Sequence, residues 1–173
     1  SVTIPHKESV LPFLDDIEHT AEKIGAINTI VRQDGKLVGY NTDCMAAVMA
    51  LDNSLRETGS TLNDKKVSII GAGGAARAIA FGLKEKGCDI TIYNRTIERA
   101  EKLSNDVKCR FKRFEEINKL DSDILINTTP IGMFPEVNRT PVPENVLKEG
   151  MIVFDAVYNP IETKLLRDAR KRG

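Results

Sequence analysis

Histidine is nearly missing from this sequence. Only His6 and His19 occur in 173 residues, which argues against a histidine metal site. Cysteine is scarce as well: Cys44, Cys88 and Cys109 are odd in number and spaced for neither a disulfide framework nor a zinc site. They read as three reduced thiols in a cytoplasmic protein. Charge of one sign is also lacking, because 25 Lys and Arg balance 25 Asp and Glu. Nothing in that balance points to a nucleic acid or an anionic membrane as partner. The sequence carries no long apolar run, secretory leader pattern, internal repeat or low-complexity tract. What is present is ordinary for a globular domain, 41% hydrophobic and 29% charged residues, and the length suits one domain, or one domain and part of another.

The ends are unusual. The chain opens at Ser1 without a methionine, directly in an extended Ser-Val-Thr-Ile run, and closes on Arg170-Lys171-Arg172-Gly173, a helix stop. The expectation is a segment of something longer.

Residues 1–4 read as the end of a strand broken by Pro5, followed by helices over 7–14 and 16–24, the second stopping at Gly25. Ala26–Arg32 and Lys36–Tyr40 are short apolar runs joined by Gln33-Asp34-Gly35, a hairpin signal. A helix from Asp43 to about Thr58 places Met45, Val48, Met49 and Leu55 near helical spacing. Beyond Asp64 the pattern alternates, with strands expected at 66–70, 89–93, 108–111, 123–127 and 151–155 and helices at 75–86, 96–106, 114–119 and 162–171. Strands such as Ile124-Leu125-Ile126 are continuously apolar, as in a parallel sheet covered on both faces. The fold class expected is therefore α/β, a Rossmann-like doubly wound parallel sheet over residues 43–173, with residues 1–42 as part of another α/β domain.

Gly71-Ala72-Gly73-Gly74-Ala75-Ala76 fits G-x-G-x-x-A between a strand and a helix. Gly71 permits the tight turn, Gly73 allows close approach to a pyrophosphate, and Ala76 lets helix and strand pack closely. The helix N-terminus then offers unpaired N–H groups to phosphate. By itself such a cluster also fits a tight turn of small residues; the strand, helix and second strand around it favour a dinucleotide. After that second strand, where an NAD site usually carries an acid, stand Tyr93-Asn94-Arg95-Thr96, with Arg99 one turn further. A carboxylate there would repel a 2′-phosphate, whereas guanidinium groups pair with it, so NADP is the expected cofactor. Thr96 can cap the helix and donate to the same phosphate. Arg99 alone also reads as a solvated arginine near a helix start.

Three polar clusters fall at strand ends and loops: Thr3-Ile4-Pro5-His6-Lys7, Gly25-Ala26-Ile27-Asn28-Thr29 and Gly39-Tyr40-Asn41-Thr42-Asp43. Taken singly, Lys7 is a surface lysine, Asn28 a turn residue and Asp43 a helix N-cap. Reduction of a carbonyl by a nicotinamide also needs an acid for the emerging alkoxide, and a lysine held by a carboxylate can serve.

These clusters, with Gly71-Ala72-Gly73-Gly74-Ala75, Asn94-Arg95-Thr96, Asn127-Thr128-Thr129-Pro130-Ile131-Gly132-Met133 and Asp155-Ala156-Val157-Tyr158-Asn159-Pro160, stand in the order found in the shikimate dehydrogenase family, which the chain resembles through nearly its whole length. The resemblance implies NADP-dependent reduction of 3-dehydroshikimate to shikimate in aromatic amino-acid biosynthesis, in the cytoplasm. It implies Lys7 as catalytic lysine and Asp43 as its partner, with Thr3, Asn28 and Tyr158 holding substrate. Gly71, Ala72, Gly73, Gly74 and Ala75 would cradle the cofactor's phosphates. Asn94, Arg95, Thr96 and Arg99 would clamp the adenosine phosphate, and Thr128, Thr129 and Met133 would face the ribose and nicotinamide. Tyr158 alone also reads as an aromatic capping a strand end.

Two departures stand out. The family's Ser-x-Ser substrate motif would precede Ser1, and its later glutamine-bearing helix would follow Gly173. The expectation is thus a whole cofactor domain beside a remnant substrate domain, inactive alone. A quinate/shikimate dehydrogenase of relaxed specificity, a module that only binds NADP, and a fusion with another pathway enzyme remain as alternatives.

Overall fold

The computed structural model describes residues 1–3 and 5–173. The strand expected over 1–4 does not form at residues 1–3, and Ile4 lies outside the described residues. Val2 instead donates its amide to the carbonyl of Asn28 at 2.7 Å. The helix expected over 7–14 is replaced by turns and a short 3-10 helix at Leu11–Phe13. Pro12 explains this, because it lacks an N–H and its ring clashes with the preceding helical turn.

β1 (Asp16–Ile17) pairs in parallel with β3 (Lys36–Tyr40), and β2 (Thr29–Gln33) pairs with β3 antiparallel, giving the order β1-β3-β2. The helix expected at 16–24 is therefore shorter: α1 spans His19–Ile24, capped by the Glu18 carboxylate, which accepts from the amides of Thr20 and Ala21. β2 starts at Thr29 rather than Ala26, because the Ile27 amide is taken by the carbonyl of Lys7 at 2.9 Å. The hairpin forms where expected, with Asp34 and Gly35 both at positive φ, 49° and 82°, as a two-residue turn requires.

α2 (Asp43–Glu57) leads into the larger sheet. There β4 (Lys66–Ile70), α3 (Gly74–Glu85), β5 (Asp89–Asn94), α4 (Ile97–Val107), β6 (Arg110–Arg113), β7 (Ile124–Asn127), β8 (Ile152–Asp155) and α5 (Lys164–Arg170) succeed one another along the chain. A tighter 3-10 helix occupies Phe114–Lys119. The five strands are all parallel in the order β6-β5-β4-β7-β8, a doubly wound sheet.

Strand alternation divides the core. Val67, Ile69, Ile90, Ile92, Ile124 and Ile126 lie with residues of α2, α3 and α4 in one cluster, while Ile70, Tyr93 and Leu125 join Ile117, Val146 and Leu165 in another. Burying each of these large side chains contributes about 1.5–3 kcal/mol, which holds the sheet rigid beneath its loops. A third, smaller cluster of Ile24, Ala26, Cys44 and Ala78 seals the N-terminal segment against α2 and α3. Among the described residues no helix is long and apolar enough to cross a membrane.

The order of strands reverses between β4 and β7. A crevice must open above their C-terminal ends, where connections leave in opposite directions.

Candidate functional site

That crevice is a cleft of about 600 Å³, walled by Gly71–Gly74 after β4, Asn94 and Arg95 at the end of β5, Arg99 and Lys102 on α4, Thr128 and Thr129 after β7, and Lys7. Gly71 begins it with φ 111°, a conformation a Cβ would strain, and a side chain there would strike the Thr128 hydroxyl. Thr128 Oγ1 is fixed in turn by donating to the Ile70 carbonyl at 2.7 Å. At Gly73 an added Cβ would meet nothing within 4 Å, so backbone is open to the cleft. No side chain caps the N-terminus of α3, which leaves its first amides and the positive end of its dipole for an anion.

Arg95, Arg99 and Lys102 on the far wall form no ion pair with a carboxylate of the described residues, whereas Arg77, which also lines the cleft, is paired with Asp106. Unneutralised cations beside an uncapped helix start fit a ligand with two separate phosphate groups. Thr96 occupies the N-cap position of α4 without a side-chain cap bond, contrary to the capping role expected for it, and its carbonyl accepts from Asn94 Nδ2 at 2.8 Å.

Lys7 reaches the cleft from the N-terminal segment. Its Nζ donates to Oδ2 of Asp43, in a pair whose side chains are 14% and 32% exposed. Oδ1 of Asp43 accepts from Asn28 Nδ2 at 2.7 Å. Asp43 is the first residue of α2, not its cap: Thr42 holds that position without a side-chain capping bond, its hydroxyl being bonded to the Asn28 amide group instead, and the carboxylate is given over to Lys7 and Asn28. Asn41 closes the turn, donating to the Ala26 carbonyl at 2.8 Å and accepting from the Cys44 amide at 3.2 Å. A Cβ on Gly74 would lie 2.9 Å from Lys7 Cβ, so the missing side chain lets the lysine stem rest on the start of α3.

Behind Thr129 lies a closed hydrogen-bond network. Asn127, fully buried, donates to Asp155 Oδ1 at 2.9 Å and to the Ile131 carbonyl at 3.2 Å, while its Oδ1 accepts the Thr129 hydroxyl at 2.7 Å. Thr163 donates to Asp155 Oδ2 at 2.7 Å. Burial pushes the Asp155 carboxyl above the usual carboxylate range, against the pull of these bonds and that from the Val157 amide.

Of the residues singled out from sequence, the cleft gathers Lys7, Gly71, Ala72, Gly73, Gly74, Asn94, Arg95, Arg99, Thr128 and Thr129, with Asp43 and Asn28 bonded behind Lys7. Thr3, Ala75, Thr96, Met133 and Tyr158 do not line it, and Tyr158 is 82% exposed. Arg77, Lys102 and Glu8 line it without having been singled out. Arg77 stands three residues after Gly74 and Lys102 three after Arg99, so helical spacing was the available signal.

The family model described as shikimate/quinate 5-dehydrogenase matches residues 53–160, and that described as the shikimate dehydrogenase substrate binding domain matches residues 1–30. The chain belongs to the shikimate/quinate dehydrogenase family. The shikimate dehydrogenase (NADP(+)) of Caldanaerobacter subterraneus subsp. tengcongensis is 45% identical over 181 residues, covering 100% of this chain and 63% of that protein. A crystal structure of a shikimate dehydrogenase in complex with NADP+ superposes with a TM-score of 0.86 at 43% identity, over 99% of this chain and 61% of the other. The Thermus thermophilus shikimate 5-dehydrogenase, in complex with NADP(H) and shikimate, gives 0.81 at 34% identity, over 99% and 62%. The chain thus spans about three fifths of the length of these family members.

Proposed function

We propose that this chain is the cofactor-binding part, residues 43–173, and a portion of the substrate-binding part, residues 1–42, of an NADP-dependent dehydrogenase that reduces 3-dehydroshikimate to shikimate in the cytoplasm. One observation carries the reading: Lys7, paired with Asp43, lies against Gly74 at the start of the helix whose N-terminus faces the cleft. A module that only bound NADP would not need that pair.

The residues present fit the cofactor. The open backbone at Gly73 and the uncapped start of α3 suit a pyrophosphate, with Gly71, Ala72, Gly74 and Ala75 shaping the turn. Arg95 and Arg99 suit the 2′-phosphate, beside Asn94 and Thr96. Thr128 and Thr129 shape the wall toward the ribose and nicotinamide, with Met133 beyond them. Bound NADPH supplies the hydride. Lys7 gives its ammonium proton to the carbonyl oxygen as negative charge develops there, and takes it back in the reverse direction. Asp43 holds Nζ in place, and Asn28 holds Asp43. Thr3, Asn28 and Tyr158 bind the hydroxyls and carboxylate of the substrate.

The test is a spectrophotometric assay of the complete gene product with NADPH and NADH, offered 3-dehydroshikimate, shikimate and quinate in both directions. The expected result is NADPH oxidation that depends on 3-dehydroshikimate. Turnover of quinate at a matching rate would assign the relaxed-specificity enzyme instead, and no turnover of any of the three would remove the proposal.

A further inference from the structure

Arg77 stands in the first turn of α3 and is largely buried, with 14% of its side chain exposed. Its guanidinium makes two contacts that leave α3 altogether. Nε donates to the carbonyl of Ile24, at the C-terminus of α1, and Nη2 pairs with Asp106 Oδ2 at 2.5 Å, near the end of α4. The same group lies 6.0 Å from the ring centre of Phe81, one turn along α3. Opposite it, Gly25 ends α1 at φ 68°, and a Cβ there would come within 3.2 Å of Arg77 Nε. Both the left-handed cap and the closeness of the guanidinium therefore call for glycine at this position.

The residues just after Gly25 connect this contact to the proposed chemistry. The Ile27 amide donates to the Lys7 carbonyl at 2.9 Å, and Asn28 Nδ2 donates to Asp43 at 2.7 Å. Ala26 packs with Ala78, one residue after Arg77, in the apolar seam between the N-terminal segment and α3. We infer that Arg77 is a positioning residue: from the cofactor helix it clamps the Gly25–Asn28 segment, and through that segment it sets where the Lys7–Asp43 pair stands relative to the start of α3. A planar guanidinium with donors in a fixed fork can serve a carbonyl and a carboxylate at once, which an ammonium on a flexible stem cannot do in the same geometry.

The inference rests on the proposed function only for its catalytic consequence, so the experiment has two arms. The first measures hydrogen exchange in the 173-residue chain. Arg77→Ala should speed exchange in the peptide covering residues 24–30 about tenfold or more while leaving β4 and β5 unchanged. Arg77→Lys and Asp106→Asn, which disturb the fold less, should shift the same peptide in the same direction by smaller amounts. Unchanged exchange at 24–30 in all three would overturn the clamp.

The second arm uses the complete gene product. Displacing Lys7 by a fraction of an ångström should lower kcat at saturating NADPH by about 10–100-fold in Arg77→Ala, with NADPH affinity held within about twofold. Weaker NADPH binding with kcat intact would make Arg77 a cofactor contact and overturn the positioning role. If the unaltered gene product reduced no substrate, the proposed function would fail, and the exchange measurement would still decide the clamp.

Discussion

Asn28 and Lys7 hold opposite oxygens of one carboxylate: Asn28 Nδ2 donates to Oδ1 of Asp43 at 2.7 Å, and Lys7 Nζ donates to Oδ2. Asp43 is thereby fixed on both sides, and the lysine is aimed rather than merely paired. General acid–base groups contribute about 10²–10⁴-fold, so Lys7→Ala in the complete gene product should lower kcat within that range and leave NADPH affinity nearly intact. Asp43→Asn keeps the shape but loses the charge that holds the ammonium, and should lower kcat as well. An Asp43→Asn protein with unchanged kcat would contradict the orienting role.

The cysteines should be poor nucleophiles in the native chain. Burial pushes the thiols of Cys88 and Cys109 up to about 11 and raises that of Cys44. At about pH 8 the thiolate fraction of Cys88 or Cys109 is roughly 100-fold below that of an unperturbed thiol, so labelling by a disulfide reagent should be slow until denaturant is added. The same burial makes stability depend on pH. The folded values lie above the unfolded value of 9.0, so the contribution is complete below pH 9.0 and lost as pH rises toward about 11. The urea midpoint should fall over that window, and less steeply in a Cys88→Ala, Cys109→Ala chain. Rapid native labelling would contradict the burial.

Thr163 is fully buried and does two things: it donates to Asp155 and accepts from the Leu166 amide at the start of α5. Thr163→Val keeps the shape and removes both, at a cost of about 1.5–3 kcal/mol for a hydrogen bond to a charged group. Thr163→Ser should recover most of it in urea unfolding. Because burial raises the Asp155 carboxyl above its usual 3.8, its stabilising protonated form is lost as pH rises above that value. The unaltered chain should therefore lose stability relative to Asp155→Asn as pH climbs above the ordinary carboxyl range. A difference independent of pH would contradict the raised carboxyl.

Much of the larger sheet is legible in the sequence. β4 spans Lys66–Ile70 as its apolar run implies, and the glycine turn after Ile70 stands between strand and helix as its spacing implies. Both are local signals. The N-terminal segment is harder to read, because its structure is set by partners far along the chain: Ile27 bonds Lys7, Asp16 pairs beside Val38, and Pro12 stops a helix that the flanking residues would support. The Lys7–Asp43 pair spans 36 positions, a separation that no periodicity encodes. Helical spacing from Gly74 could bring Arg77 to the cleft, but not its contacts: a lone arginine in a helix turn is ordinary until Ile24 and Asp106 are seen to converge on it.

The substrate side should demand more chain than the 173 residues. Thr3 and Tyr158 are exposed and line no part of the cleft, and orientation of substrate supplies roughly 7–11 kcal/mol of such a rate enhancement in favourable cases. The chain by itself should bind NADPH yet show no oxidation of it that depends on 3-dehydroshikimate. Residues 1–42 should also exchange amide hydrogens faster than the 65–160 core. Robust turnover by these 173 residues alone would show a site more self-contained than the proposal requires.

In the proposed function, cofactor choice turns on the cations at the end of β5. Arg95 and Arg99 form no ion pair among the described residues, and losing one charge-assisted bidentate contact with a phosphate costs on the order of 1.5–3 kcal/mol. The most direct measurement is a parallel fluorescence titration of the 173-residue chain and its Arg95→Ala variant with NADPH and NADH. The expected result is saturable NADPH binding, NADH weaker by about tenfold or more, and an Arg95→Ala chain in which NADPH affinity falls toward that of NADH while NADH is nearly unaffected. Equal affinity for the two cofactors in the unaltered chain, or equal weakening of both in the variant, would contradict the assignment of Arg95 to the 2′-phosphate.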